Sequence, residues 1–146
     1  MASAFRRKDF GGAIDLTLRP IGVVRSSISL RRDAPKQGDE GAPDAWIEVH
    51  PWAAEGLLLM APGDQIIVIT WLHQGRRDTL QVHPRGKAEN PLTGVFATRS
   101  PDRPNPLGLH PVVVHQIDGN RLRVGPMEAI DGTPVVDIKP VLPCRT

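Results

Sequence analysis

The chain has 146 residues, enough for one domain with a single hydrophobic core but not for two. Its composition, 40% hydrophobic and 23% charged, is that of a globular protein and is neither disordered nor membrane-like. The net charge of +2 is weak evidence for nucleic-acid binding, which depends on clustered cations. No apolar run approaches the roughly 20 residues of a membrane span, and the basic N-terminus contains no apolar segment typical of a secretory signal. The single cysteine, Cys144, predicts no intramolecular disulfide and a reducing, cytoplasmic location.

In chain order, residues 1–15 are predicted to form a loosely ordered arm and residues 16–146 a single domain. The 15 prolines and 14 glycines, without long helical periodicity, favour short strands joined by turns. A short helix is predicted over 51–60, because Pro51 suits a first helical turn, and a long polar loop over 31–43. The predicted strands cover residues 16–27, 45–50, 64–72, 79–83, 95–97, 109–117, 121–125 and 134–138.

Three of these segments carry sharper expectations. The run DQIIVITWL at 64–72 is the most apolar β-branched segment and is predicted to be a central, buried strand. Leu80 and Val82 alternate with polar neighbours and are predicted to face inward. Asp118-Gly119-Asn120 predicts the turn of a hairpin between the neighbouring strands.

The segment GVFATRSPDRPNPLGL at 94–109 combines a short apolar run with three closely spaced prolines. Each proline fixes its own φ and biases the preceding residue away from helix, so the loop should be stiff. A stiff loop carrying Arg99, Ser100, Arg103 and Asn105 can hold polar groups at fixed positions for anion or nucleotide recognition. The alternative is a surface connection whose prolines only reduce the entropy of the unfolded chain.

This segment and DGTPVVDIKP at 131–140 together resemble the paired signature of the TsaA-like (TrmO-type, YaeB-like) family. PIGVVRSS at 20–27, Pro35-Lys36-Gln37 and WLHQ at 71–74 extend the resemblance over residues 18–143. The resemblance implies an S-adenosylmethionine-dependent tRNA methyltransferase with a small, mainly β barrel fold, acting as a homodimer. The sequence has neither a Rossmann nor a P-loop glycine motif, so a cofactor would be bound in another manner.

S-adenosylmethionine requires a cationic donor for its carboxylate, apolar walls, and acceptors for its amine and hydroxyls. Arg99 is predicted to supply the donor, Leu109 and Ile130 the walls, and Asp131 or backbone carbonyls the acceptors. Lys36 stands where the family more often has arginine, which keeps the charge but loses the bidentate fork. By resemblance, the cofactor-binding residues are Pro35, Lys36, Gln37, His73, Gln74, Arg99, Leu109, Met127, Glu128, Ala129, Ile130, Asp131, Gly132 and Thr133.

The methyl acceptor reported for the family is the N6 nitrogen of threonylcarbamoyladenosine, beside the anticodon of tRNA. That nitrogen is a poor nucleophile, so a base such as His73 or Asp137 would help by removing its proton. The alternatives are that His73 is a hydrogen-bonded wall residue and that Asp137 and Lys139 form a surface ion pair. The predicted RNA contacts are Arg76, Arg77, Arg103, Asn105 and Lys139.

Other readings of the chain stay open. His110 replaces the small polar residue usual in the family, and the connection over 74–94 is short, so the acceptor could be another RNA or a small molecule. A non-catalytic barrel that binds S-adenosylmethionine is a further alternative. No metal site is predicted, because the five histidines show no ligand spacing and the single cysteine has no partner.

Overall fold

The computed structural model describes residues 16–143; the predicted arm and Cys144 lie outside the described residues. Six antiparallel strands close into a barrel in the order β1-β2-β7-β6-β3-β8, and β4 and β5 form a separate two-stranded sheet. This confirms the predicted mainly β barrel. The strands are β1 (Gly22–Arg25), β2 (Ala45–Val49), β3 (Gln65–Trp71), β4 (Gln81–Val82), β5 (Thr93–Gly94), β6 (Leu107–Asp118), β7 (Arg121–Gly125) and β8 (Pro134–Pro140).

The core forms because alternate residues of each strand point into the barrel. Ile47, Val68, Val114 and Leu122 are completely buried in this way. The β3 strand was predicted to be a buried central strand, but only alternate residues are buried and Ile67 on its outer face is half-buried. A closed barrel has one interior, so a strand within it buries one face against the core.

The predicted hairpin is confirmed. Asp118 pairs with Arg121, and Gly119 at the turn has φ +60°, a conformation that glycine adopts without steric cost. The β6 strand is longer than predicted because it begins at Leu107, inside the proline-rich segment.

Other predicted boundaries were wrong. The first strand is limited to Gly22–Arg25, and the predicted helix is a 3-10 helix, Pro51–Leu57. Val95–Ala97 is a 3-10 helix and not a strand, because the Thr98 N–H bonds back to the Val95 carbonyl. Leu80 is 62% exposed instead of inward-facing, because the β4–β5 pair lies outside the barrel sheet. Within the described residues, no helix is long and apolar enough to cross a membrane.

Candidate functional site

A pocket of about 650 Å³ opens where β3 ends and β6 and β8 begin. Antiparallel pairing brings these three strand ends together, although they lie far apart in sequence. The loops 31–37, 98–105 and 128–133 complete the walls. This volume lies within the range of pockets that bind small molecules and cofactors.

The floor of the pocket is polar and buried. His110 is 3% exposed, and its two ring nitrogens contact Thr70 Oγ1 at 2.7 Å and Glu128 Oε1 at 2.5 Å. A Cβ on Gly108 would lie 2.6 Å from Thr70 Oγ1 and 2.7 Å from His110 Nε2, so this position must lack a side chain. Thr70 on β3 and His110 on β6 both point inward, so the barrel interior changes from apolar to polar at this end.

Asp102 links the loops that form the rim of the pocket. Its carboxylate accepts two hydrogen bonds from the Arg31 guanidinium at 3.0 Å and one from the Arg76 backbone N–H at 2.9 Å. Partial burial of the carboxyl favours its neutral form, but these donors outweigh that effect and lower the pKa of Asp102. Arg31 also donates to the Gln74 carbonyl. Three loops around the pocket are therefore joined through one charged contact.

Arg103 stiffens the proline-rich loop from within. Its guanidinium donates to the backbone carbonyls of Val95, Thr98 and Ser100 at 2.9–3.1 Å. The sequence predicted that Arg103 contacts RNA, but these bonds direct its donors into its own loop. Arg103 lines the pocket, and its observed contacts are those of a loop-positioning residue.

Most of the residues that were predicted to bind a cofactor line the pocket. Lys36, His73 and Arg99 are exposed at its rim, and their side chains make no hydrogen bond or ion pair with any residue in 16–143. These groups are therefore available to a ligand. The predicted residues that line the pocket are Pro35, Lys36, Gln37, His73, Gln74, Arg99, Leu109, Glu128, Ala129, Ile130 and Thr133.

Three predicted cofactor residues lie elsewhere. Met127 is completely buried in the barrel core. The Asp131 carboxylate accepts the Ser26 N–H, which fixes it to the end of β1. Neither these two residues nor Gly132 lines the pocket. Of the predicted segment 127–133, only Glu128, Ala129, Ile130 and Thr133 line the pocket.

The prediction of Asp137 as a catalytic base is not supported by its position. Asp137 pairs with Ile69, and Lys139 with Ile67, on the outer face of the barrel. Their side chains form an ion pair at 3.1 Å and do not line the pocket. The alternative of a surface ion pair describes both residues, and this position does not favour a pocket role for Lys139.

The predicted RNA residues Arg76, Arg77 and Asn105 lie beside the mouth. Arg77 Nε donates to the Pro104 carbonyl at 2.9 Å, and its guanidinium lies 5.1 Å from the Trp71 ring centroid. Arg76 pairs with Asp78 at 3.1 Å and remains exposed. Asn105 lines the pocket, whereas the two arginines border the loop that forms its wall.

The sequence analysis did not identify the buried floor or the role of Arg31. The alternation of β6 could have indicated that His110 is buried. His110, Val112 and Val114 are alternate residues of this strand, so they share its inward face. Nothing local indicated that Arg31 would meet Asp102, 71 residues away. Across residues 16–143, no group of three or more His, Cys, Asp or Glu side chains is placed to hold a metal ion.

Comparisons with known proteins agree with this architecture. A family profile described as the tRNA-methyltransferase O N-terminal domain matches residues 23–145. An S-adenosyl-L-methionine-binding protein of Archaeoglobus fulgidus is 42% identical over 88% of this chain and 91% of its own length. A probable S-adenosyl-L-methionine-binding protein of Methanothermobacter thermautotrophicus is 44% identical over 87% of this chain and 90% of its own length.

The fold also matches solved structures. A crystal structure of TrmO from Pseudomonas aeruginosa superposes with a TM-score of 0.69 at 28% sequence identity. The match covers 89% of this chain but 57% of that protein. A second crystal structure of TrmO gives a TM-score of 0.70 at 27% identity, again over 57% of its length. This chain therefore spans little more than half the length of the solved TrmO chains.

Proposed function

Since the chain belongs to the family of the tRNA-methyltransferase O N-terminal domain, we propose that it is an S-adenosylmethionine-dependent tRNA methyltransferase. The proposed acceptor is the N6 nitrogen of threonylcarbamoyladenosine beside the anticodon. The proposal places the protein in the cytoplasm, where it would meet tRNA. The proposal rests on one pocket that has at its rim the side chains of Lys36 and Arg99, unpaired within residues 16–143, and at its floor the Glu128 carboxylate, hydrogen-bonded to His110.

The pocket chemistry fits a zwitterionic nucleoside such as S-adenosylmethionine. Arg99 and Lys36 offer charged donors to a carboxylate, and charge-assisted hydrogen bonds are stronger than neutral ones. Leu109, Ile130 and Phe96 supply apolar walls, and Phe96 is 83% exposed at the mouth. The curated relatives named as S-adenosyl-L-methionine-binding proteins support the same ligand.

The residues of the pocket also suit methyl transfer to a weak nitrogen nucleophile. When bound, S-adenosylmethionine supplies an electrophilic methyl group whose former sulfur partner leaves as a neutral thioether. Much of the rate can come from holding the two reactants in line. His73 is the proposed base that accepts the proton lost from N6, because it lines the pocket and is exposed.

The proposed RNA face lies around Arg76 and Arg77, beside the mouth. Each neutralised phosphate releases counterions, so the logarithm of affinity falls with the logarithm of salt by about 0.7 per contact on single strands. Replacing both arginines by alanine should weaken tRNA binding and flatten this slope while leaving cofactor affinity unchanged. Equal slopes in a salt titration of wild type and double variant would contradict the assignment.

We include a homodimer in the proposal. Leu107 and Leu109, which line the pocket, are 42% and 43% exposed on the outer face of β6. Trp71 of β3 is paired with Leu107 and extends this apolar face. A second copy covering the face would bury it and close the pocket. Sedimentation that shows only monomers at micromolar concentration, with normal cofactor binding, would contradict this assembly.

A non-catalytic S-adenosylmethionine-binding barrel is the second candidate. The names of the curated relatives favour it, because they state binding and not catalysis. A methyltransferase for another RNA or a small molecule is also open. Binding without turnover on any tRNA would favour the binding protein.

Two measurements test the proposal. Mass spectrometry of tRNA nucleosides should show loss of the methylated threonylcarbamoyladenosine in a strain lacking this gene. Calorimetry should show that Arg99→Ala costs roughly 1.5–3 kcal/mol of S-adenosylmethionine affinity, the usual worth of a hydrogen bond to a charged group. Unchanged nucleosides would contradict the acceptor, and unchanged affinity in a folded variant would remove Arg99 from the site.

A further inference from the structure

His110 connects two polar side chains beneath the pocket. It is 3% exposed, contacts Thr70 Oγ1 through Nε2 at 2.7 Å, and contacts Glu128 Oε1 through Nδ1 at 2.5 Å. A carboxylate oxygen accepts, so Nδ1 carries a proton and donates to Glu128, while the Thr70 hydroxyl can donate to or accept from Nε2. Thr70 is completely buried and fixes the ring from the side opposite Glu128. The orientation of the imidazole is therefore determined at both nitrogens.

The second oxygen of Glu128 remains open. Oε2 accepts no hydrogen bond from any residue in the described range, while the side chain is only 13% exposed. A Cβ on Gly38 would lie 3.1 Å from Oε2, so the loop that follows Lys36 passes beside this oxygen. Oε2 is not one of the fully buried atoms without a partner, so it stays accessible in the pocket that Glu128 lines, and a largely buried carboxylate is stabilised by each donor that reaches it. The open oxygen therefore favours a ligand that brings a donor.

The charges around the pocket orient such a ligand. Glu128 is the only carboxylate among the described residues that line the pocket, whereas Lys36 and Arg99 lie at the rim. A ligand that carries both a positive and a negative group can satisfy both regions. An ammonium group has three N–H donors for a carboxylate oxygen, whereas a sulfonium has none.

We infer that His110, fixed by Thr70, is a positioning residue that aims Glu128 at the ammonium group of the bound ligand. The inference rests on the proposed function, in which that ligand is S-adenosylmethionine. His110 holds one carboxylate oxygen, and the other receives the α-ammonium of the amino-acid end. The rim cations take the carboxylate of the same end.

The first test uses three ligands and calorimetry. S-adenosylhomocysteine keeps the ammonium but has a neutral sulfur, and 5′-methylthioadenosine lacks the amino-acid end. Glu128→Gln should weaken S-adenosylmethionine and S-adenosylhomocysteine equally, by about 10- to 100-fold, the range of a hydrogen bond to a charged group. Affinity for 5′-methylthioadenosine should not change. Glu48→Gln, which removes a carboxylate on the outer surface of β2, is the matched control and should bind all three ligands normally.

The second test separates positioning from folding. His110→Leu should reproduce the ligand pattern of Glu128→Gln, and His110→Asn, which keeps a side-chain N–H, should restore part of the affinity. If His110→Leu does not fold, Thr70→Val and Thr70→Ser give the same contrast, because only serine keeps the hydroxyl. Circular dichroism and thermal melting establish that each variant compared is folded.

Four outcomes would overturn the inference. Unchanged affinities in Glu128→Gln would exclude the carboxylate. Equal losses for all three ligands would show a general structural defect, and a loss confined to S-adenosylmethionine would assign the contact to the sulfonium. A wild type that binds none of the ligands would overturn the proposed function and this inference with it.

Discussion

Two walls of the barrel follow the same alternation but end in different chemistry. The β2–β7 wall contributes only apolar inward residues, which are Ala45, Ile47, Val49, Leu122 and Val124. The β3–β6 wall begins in the same way but ends in Thr70, Gly108 and His110 at the pocket. Position along the barrel therefore decides whether an inward residue packs the core or builds the site.

The outer surfaces differ as well. Glu48 on the β2–β7 side pairs with Arg25 at 3.5 Å and lies 3.9 Å from Arg121, among exposed side chains. The β3–β6 side exposes Leu107 and Leu109, which line the pocket. The comparison indicates that the β2–β7 wall supports stability, whereas the β3–β6 wall supports stability and also lines the pocket. The predictions below test this division.

The largest expected effect is a cavity in the β2–β7 wall. Leu122→Ala removes a completely buried side chain and should lower the free energy of unfolding by about 2–5 kcal/mol. Chemical denaturation measures the loss. Leu109→Ala, with the same chemistry on an exposed position of β6, should cost much less stability. Similar losses in the two variants would contradict the difference between the inward position of Leu122 and the outward position of Leu109.

The next effect concerns the floor of the pocket. Gly108→Ala places a methyl group against Thr70 and His110, both buried, and should cost about 1–3 kcal/mol as an overpacking substitution. Gly94→Ala is the control, because no atom lies within 4 Å of its added methyl group. Thermal unfolding compares the two. A Gly108→Ala protein with wild-type stability would mean that the floor is loosely packed.

Acid should loosen the rim through Asp102. Its pKa in the folded protein is lowered from 3.8, so the folded state binds fewer protons than the unfolded chain. Its contribution is complete above that ordinary value and is lost as pH falls through the lower folded pKa. Between about pH 6 and about pH 2.5, wild type should lose more stability than Asp102→Asn, which has no carboxylate to protonate. Parallel curves from denaturation at each pH would contradict this role.

The smallest expected effect is on the outer surface of β1 and β2. Arg25→Ala breaks an ion pair whose side chains are 51% and 38% exposed, so solvent screens the attraction. The expected loss is between about 0 and 1 kcal/mol and should shrink further at high salt. Denaturation at low and high salt provides the measurement. A loss as large as that of Leu122→Ala would reverse the ranking of surface and core.

The amino-acid sequence by itself determined the features that depend on neighbouring residues. Apolar and β-branched runs predicted β2, β3 and β7, and Asp118-Gly119-Asn120 predicted the hairpin turn, because strand preference and turns are set locally. The proline-rich motif also located the loop that carries Arg99. The closed barrel and the predicted cofactor residues came instead from the family resemblance carried by the segments 94–109 and 131–140.

The tertiary structure decided what distant segments do together. Arg31 meets Asp102 across 71 residues, and Glu128 meets His110 across 18, because the barrel closes in an order that no local pattern encodes. The sequence placed Asp137 and Lys139 on one face of a strand, but pairing with β3 turned that face outward. Strand alternation fixes which residues share a face, whereas the long-range register fixes whether that face meets the core, the solvent or the site.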